Sequence, residues 1–151
     1  GFVFGAMIAG ILWLWVNRDP AKCFLAMMMT LAGWLAAVNT ANDAINTIQG
    51  SLLFGTMEGA KVYREMLGWL TGGLLGGAVG AGLTAFGTGV AATAIRRPEA
   101  WMLIVVVGAI AGLLLYSAAL LDAIILLFVP WQVAVATAIA YGLTTRDGFR
   151  A

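Results

Sequence analysis

Long apolar runs alternate with short polar breaks along the chain. The runs are residues 1–16, 21–38, 68–95, 101–120 and 123–143. A helix that crosses a hydrocarbon core of about 30 Å needs about 20 apolar residues, so each run from the second onward is long enough or nearly so. The breaks carry the chemistry of helix ends. In Asn17-Arg18-Asp19-Pro20, Asp19 is expected as an N-cap and Pro20 as the first helical residue. Arg96-Arg97-Pro98-Glu99 repeats that design, with Glu99 in the favourable first turn. Pro130 falls inside the last run and predicts a bend there. The joint between the fourth and fifth runs has neither Gly nor Pro. A single helix over residues 99–143 would nevertheless be about 67 Å long, so the chain must turn near Asp122. The pattern predicts an all-α fold: an integral membrane helical bundle of about five transmembrane helices, one domain over residues 1–151.

Residues 39–67 form the only long polar interval. Thr40 and Asp43 have capping-box-like spacing, and Ile45, Ile48 and Leu52 recur at i, i+3 and i+7 among Asn42, Asn46, Thr47 and Gln49. Glu58, Lys61, Arg64 and Glu65 then read as a polar helical turn leading into the third span, and Gly50, Gly55 and Gly59 allow breaks. We expect a short extracytoplasmic amphipathic helical segment, possible as an extension of span 2. It would lie on the membrane surface or against a partner, because re-entrant backbone needs a protein- or water-lined cavity.

The third span is uncharged and ordered by its glycines. Gly68, Gly72, Gly76 and Gly80 fall every fourth residue and make one smooth stripe, which Gly73 and Gly77 widen. In water each glycine would disfavour a helix by about 1 kcal/mol relative to Ala. In lipid the backbone must satisfy its own hydrogen bonds, so the helix forms and its bare face admits a close neighbour. This span is the expected centre of the bundle. Gly108 and Gly112 repeat the small-xxx-small spacing on the fourth span.

Composition agrees with the pattern. Hydrophobic residues make up 62% and charged residues 10% of the 151, against about 45–50% and 25% in a soluble domain. Mean hydropathy is +0.98. The absence of histidine removes a His-ligated haem or metal and a His general base from this chain, and one cysteine, Cys23, permits no internal disulfide or Cys-based metal cluster. No P-loop, dinucleotide-binding, HExxH or GxSxG motif occurs, so no cofactor is expected. A net charge of +1 without a basic run gives no reason to expect nucleic acid. The first residue is Gly1 rather than Met, so further residues are expected before it.

Charge also orients the chain. Arg18 and Lys22, Arg96 and Arg97, and Arg146 and Arg150 flank span ends that five crossings place on one membrane face. Lys61 and Arg64 fall on the other face, with Asp43, Glu58, Glu65 and Asp122. The positive-inside rule then predicts a cytoplasmic C-terminus and an outside N-terminus. Arginine outnumbering lysine, with abundant Ala and Gly, fits a bacterial plasma (inner) membrane.

Few polar groups are candidates for chemistry. Asp122 is flanked by apolar sequence on both sides and is expected to cap the fifth span at an outer turn; deeper in the bilayer it would be a site for proton or cation passage. Gln132, beside Pro130, is the clearest polar group inside a span. Its roles are an interhelical hydrogen bond or the lining of a pore or quinone pocket. Asn39, Asn42, Asp43, Asn46 and Gln49 read as a solvated face before a weak cation site. Met27, Met28 and Met29 read as adaptable packing. The expected function is a non-catalytic subunit of a larger membrane complex: a scaffold, an assembly factor or a component of a secretion or energy-transducing complex. Its expected partners are the lipid bilayer and other membrane subunits. A small homo-oligomeric channel or transporter is the alternative, and a membrane-embedded enzyme the second.

Overall fold

The computed structural model describes residues 1–16, 18–51 and 58–144, the side chains of Glu58 and Gly59 excepted. Expectations resting on Asn17, Leu52, Gly55, Arg146 and Arg150 fall outside the described residues. Everything regular in the described chain is helical. The elements are α1 (Phe2–Trp15), α2 (Pro20–Gly50), α3 (Glu58–Ala91), α4 (Pro98–Gly112), α5 (Leu114–Leu120) and α6 (Ile125–Thr144), with a 3-10 turn at Thr93–Arg96 between α3 and α4. Four segments are long and apolar enough to cross a membrane: Pro20–Gly50, Ala60–Ala91, Pro98–Leu120 and Ile125–Thr144. The shorter α1 is equally apolar, and the whole is a membrane helical bundle.

The helix ends follow from local chemistry. Asp19 adopts extended backbone and its Oδ1 accepts from the Ala21 and Lys22 amides at 3.0 and 3.3 Å, while Pro20 opens the helix. Lys22 Nζ lies 3.2 Å from Asp19 Oδ2. At the far end of α3, Arg96 donates from Nε to the Gly89 carbonyl at 2.7 Å and from Nη2 to that of Val90 at 3.3 Å. Arg97 Nη2 donates to the Gly142 carbonyl of α6 at 3.4 Å. These cations sit where the last helical carbonyls leave partial negative charge unsatisfied.

Two helices continue past their apolar runs. The helix that starts at Pro20 runs unbroken to Gly50, so of the two options for residues 39–50 the structure takes the extension of span 2. Residues 58–67 are likewise the first turns of α3. At 31 and 34 residues, α2 and α3 are about 46 and 51 Å long, well beyond a 30 Å core. Arg64 Nη1 donates to the Ser51 carbonyl at 3.3 Å and joins the two beyond their apolar parts.

The fourth span is one crossing made of two helices. Hydrogen bonding tightens to i−3 where Leu113 N–H meets the Ile110 carbonyl and Tyr116 N–H the Leu113 carbonyl. α5 then ends at Asp122, whose φ of +48° is left-handed. Ala123 N–H returns to the Ala118 carbonyl at 2.9 Å, and Asp122 N–H reaches that of Ala119 at 3.5 Å. This is a Schellman turn with Asp in the place usually held by Gly. Asp122 therefore closes α5 through its backbone, where the sequence suggested a cap for the following helix.

α3 is the centre of the bundle. In its most apolar window 56% of residues are buried, against 22–28% in the other three long spans. α2 lies along one side of it and α4 along another, while α1 packs on α2 and α6 on α4. The core runs through Phe4, Ile8 and Leu12 of α1 to Ile95, Ile104, Val135 and Ile139, and includes Cys23 of α2.

Candidate functional site

The glycines of α3 serve two different neighbours. The fourfold stripe faces α2. A Cβ placed on Gly72 would lie 2.7 Å from Ile45 Cγ1 and 2.8 Å from the Ala41 carbonyl, and one on Gly76 would lie 2.7 Å from the Ala37 carbonyl. Gly80 sits against Ala37 and Gly33, and Gly68 against Ile45 and Gln49. The two helices thus run antiparallel in register, each fourfold step on α3 answered by Gly33, Ala37, Ala41 or Ile45 on α2. Gly73 and Gly77 do not widen that stripe. They turn toward α4, where they meet the carbonyls of Gly112 and Gly108, and Gly108 in turn receives Ala81. The angle between adjacent residues on a helix, about 100°, is what sends Gly72 and Gly73 to different partners.

Small residues on both sides make these contacts possible. Without a hydrophobic drive between helices already in lipid, association depends on dispersion and close fit. The α2 half of the match, Ala26 through Ile45, was missed from the sequence because alanine is so common in apolar helices. Its signal was the small residues Gly33, Ala37 and Ala41 at fourfold spacing. Thr30, Thr84 and Thr88 fit the same seams because each hydroxyl donates back to its own helix, at 2.8–3.0 Å.

Where α2 and α3 meet α5 and α6 the packing opens into a cavity of about 350 Å³. Its floor includes Gly72, Gly73, Gly76, Gly77 and Gly112. Its walls include Trp34, Trp69, Phe128 and Trp131. Two amides, Asn42 and Gln132, also border it. Trp131 is held from two sides. Its indole N–H donates to the Gly108 carbonyl at 3.0 Å, and its ring meets Phe4 edge-on with centroids 6.1 Å apart. Trp34 and Phe128 pair at 6.4 Å across the slot.

The interhelical hydrogen bond suggested for Gln132 is therefore made by its neighbour Trp131. The Gln132 side chain is half-buried and makes no hydrogen bond with any described residue. Asp122 stands apart, exposed at the α5–α6 turn and not among the cavity residues. Gly68 likewise serves a helix contact alone, whereas Gly80 and Gly108 also lie against Trp131 of the cavity wall. Asn39 donates to the Leu35 carbonyl at 2.9 Å, and Asn42, Asp43 and Asn46 are exposed along the end of α2. Among the described residues no three Asp, Glu or Cys side chains gather as a metal site.

The fold and this site define a multi-pass helical membrane protein. No family model matches the chain, no curated protein matches it, and no solved structure matches its fold.

Proposed function

We propose that the chain is a non-catalytic integral membrane subunit of a larger membrane complex. The observation that carries this reading is the paired helical arm made by residues 39–50 of α2 and 58–67 of α3. It is about 15–20 Å longer than the hydrocarbon core requires. Its halves are matched by Ile45 and Gln49 on Gly68 and joined by Arg64. It exposes Val62 and Tyr63, at 65% and 62%, beside charged Lys61 and Glu65. An aromatic and a β-branched side chain on the polar end of two paired helices suit a protein surface better than water.

The homo-oligomeric channel drew its support from glycine stripes free to meet other copies. Both stripes are occupied within the chain, by α2 and by α4. A bacterial plasma membrane, a cytoplasmic C-terminus and an outside arm belong to the same proposal. The charges behind it are four basic residues, Arg18, Lys22, Arg96 and Arg97, at one end of the bundle, against two, Lys61 and Arg64, with Asp43, Glu65 and Asp122 at the other.

The test is the mass and composition of the particle that mild detergent releases from native membranes. Unrelated polypeptides in fixed ratio, lost when Tyr63→Glu and Val62→Glu are combined, are the expected result. A ring of this chain alone would replace the subunit reading with the channel.

A further inference from the structure

We propose that the cavity is a binding site for an elongated apolar molecule carrying a carbonyl oxygen, which the Gln132 amide receives. The proposal concerns the single chain and stands whether or not the chain belongs to a complex. Around the cavity the helices close to backbone contact, as at Gly73 on Gly112 and Gly33 on Gly80. Against that tight packing the slot, which is partly open to the outside, stands out by its size, since ligand pockets begin near 300 Å³. A space of about 350 Å³ is within the ligand range.

Shape and lining select the occupant. Along α2 the cavity extends from Thr30 to Ile45, roughly 22 Å at 1.5 Å per residue. That length at this volume is a narrow slot, suited to a hydrocarbon or isoprenoid chain and not to a compact polar solute. Water is a poor occupant because it needs two to four polar partners. Thr30 has already given its hydroxyl hydrogen to the Ala26 carbonyl, and Asn42 and Gln132 stand on different helices.

Gln132 supplies the recognition. It lies in the first half of α6, seven residues and about 10 Å along the helix from Ile125, within a segment apolar enough to cross a membrane. Among the described residues the amide has no hydrogen-bond partner, and within an apolar span it has little water to turn to. Trp131, fixed by Gly108 and Phe4, holds the adjacent backbone in place. The free amide N–H groups of Gln132 donate to a carbonyl oxygen of the ligand. A fatty acyl carboxyl or ester and the ring carbonyl of an isoprenoid quinone present that same chemistry.

Tryptophan fluorescence reads the site directly, since Trp34, Trp69 and Trp131 line it. The purified full chain in detergent is titrated with a dibrominated stearic acid and, separately, with a decyl-substituted benzoquinone, both contact quenchers. We expect saturable quenching by one probe, reversed in the case of the acid by unbrominated stearic acid; which probe saturates identifies the acyl or the quinone source. Gln132→Leu should weaken that binding about fivefold, the worth of one hydrogen bond, without moving the emission maximum. Leu127→Phe, which narrows the slot and leaves the amide intact, should weaken it as well. Quenching that never saturates for either probe overturns the proposal, as does saturation that neither variant alters.

Discussion

At the scale of single residues, position on the helix decides what a glycine is worth. Gly73 and Gly77 meet carbonyls of α4, so an added methyl must push two backbones apart. We predict that Gly73→Ala or Gly77→Ala destabilises the fold by about 1–3 kcal/mol, the usual cost of overpacking. Gly10→Ala, where nothing lies within 4 Å, should be neutral or slightly stabilising. Reversible unfolding in mixed micelles measures both, and equal effects would refute the assignment of faces. Asp122 offers the opposite case. Its left-handed φ costs an L-residue about 1–2 kcal/mol that glycine avoids, so Asp122→Gly should raise stability and Asp122→Val lower it in the same assay.

At the scale of elements, the start of α2 has a measurable pH signature. The Asp19 carboxyl is held below its ordinary 3.8, first by its hydrogen bond to the Lys22 side chain and then by the Lys22 amide. A carboxyl with a depressed folded pKa contributes stability above its unfolded value and loses it as pH falls through the lower folded value. Wild type should therefore lose this contribution only below about pH 3.8, and Asp19→Ala should lack that component while being less stable at neutral pH. Acid unfolding curves of the two proteins check the prediction. The cap was legible in the sequence because Asp-Pro before an apolar run is a local signal. The continuity of α2 to Gly50 was legible only as one of two options. Its polar turns look like a surface segment until Ala41 and Ile45 are seen locked on Gly72.

At the scale of the molecule, α3 holds α2 on one face and α4 on another, so damage to either seam spreads. Gly76→Leu should leave little folded monomer, whereas Val105→Leu on α4 should be nearly silent, as size-exclusion profiles in detergent will show. The antiparallel α2–α3 pair also places Gln49 and Glu99 at opposite ends of the bundle. A cysteine at position 49 in intact cells should react with an impermeant thiol reagent, and one at position 99 only after the membrane is opened. The reverse pattern would invert the proposed orientation.

What the sequence determined by itself was whatever depends on local chemistry and on solvent. Apolar runs demand lipid, the backbone in lipid demands helices, and Asp19-Pro20 and Arg97-Pro98 mark where helices begin. Periodicity also determined which residues share a face, and so the fourfold stripe is legible in the sequence alone. Only the tertiary structure decided what each face meets. It divided Gly72 from Gly73, gave the interhelical hydrogen bond to Trp131 instead of Gln132, turned the chain through Asp122 and left a slot between α2, α3 and α6. The physical reason is that apolar helices in a membrane gain little by hydrophobicity from choosing one neighbour over another. The choice rests on shape, summed over many weak contacts between residues far apart in the chain, and no local pattern encodes that sum.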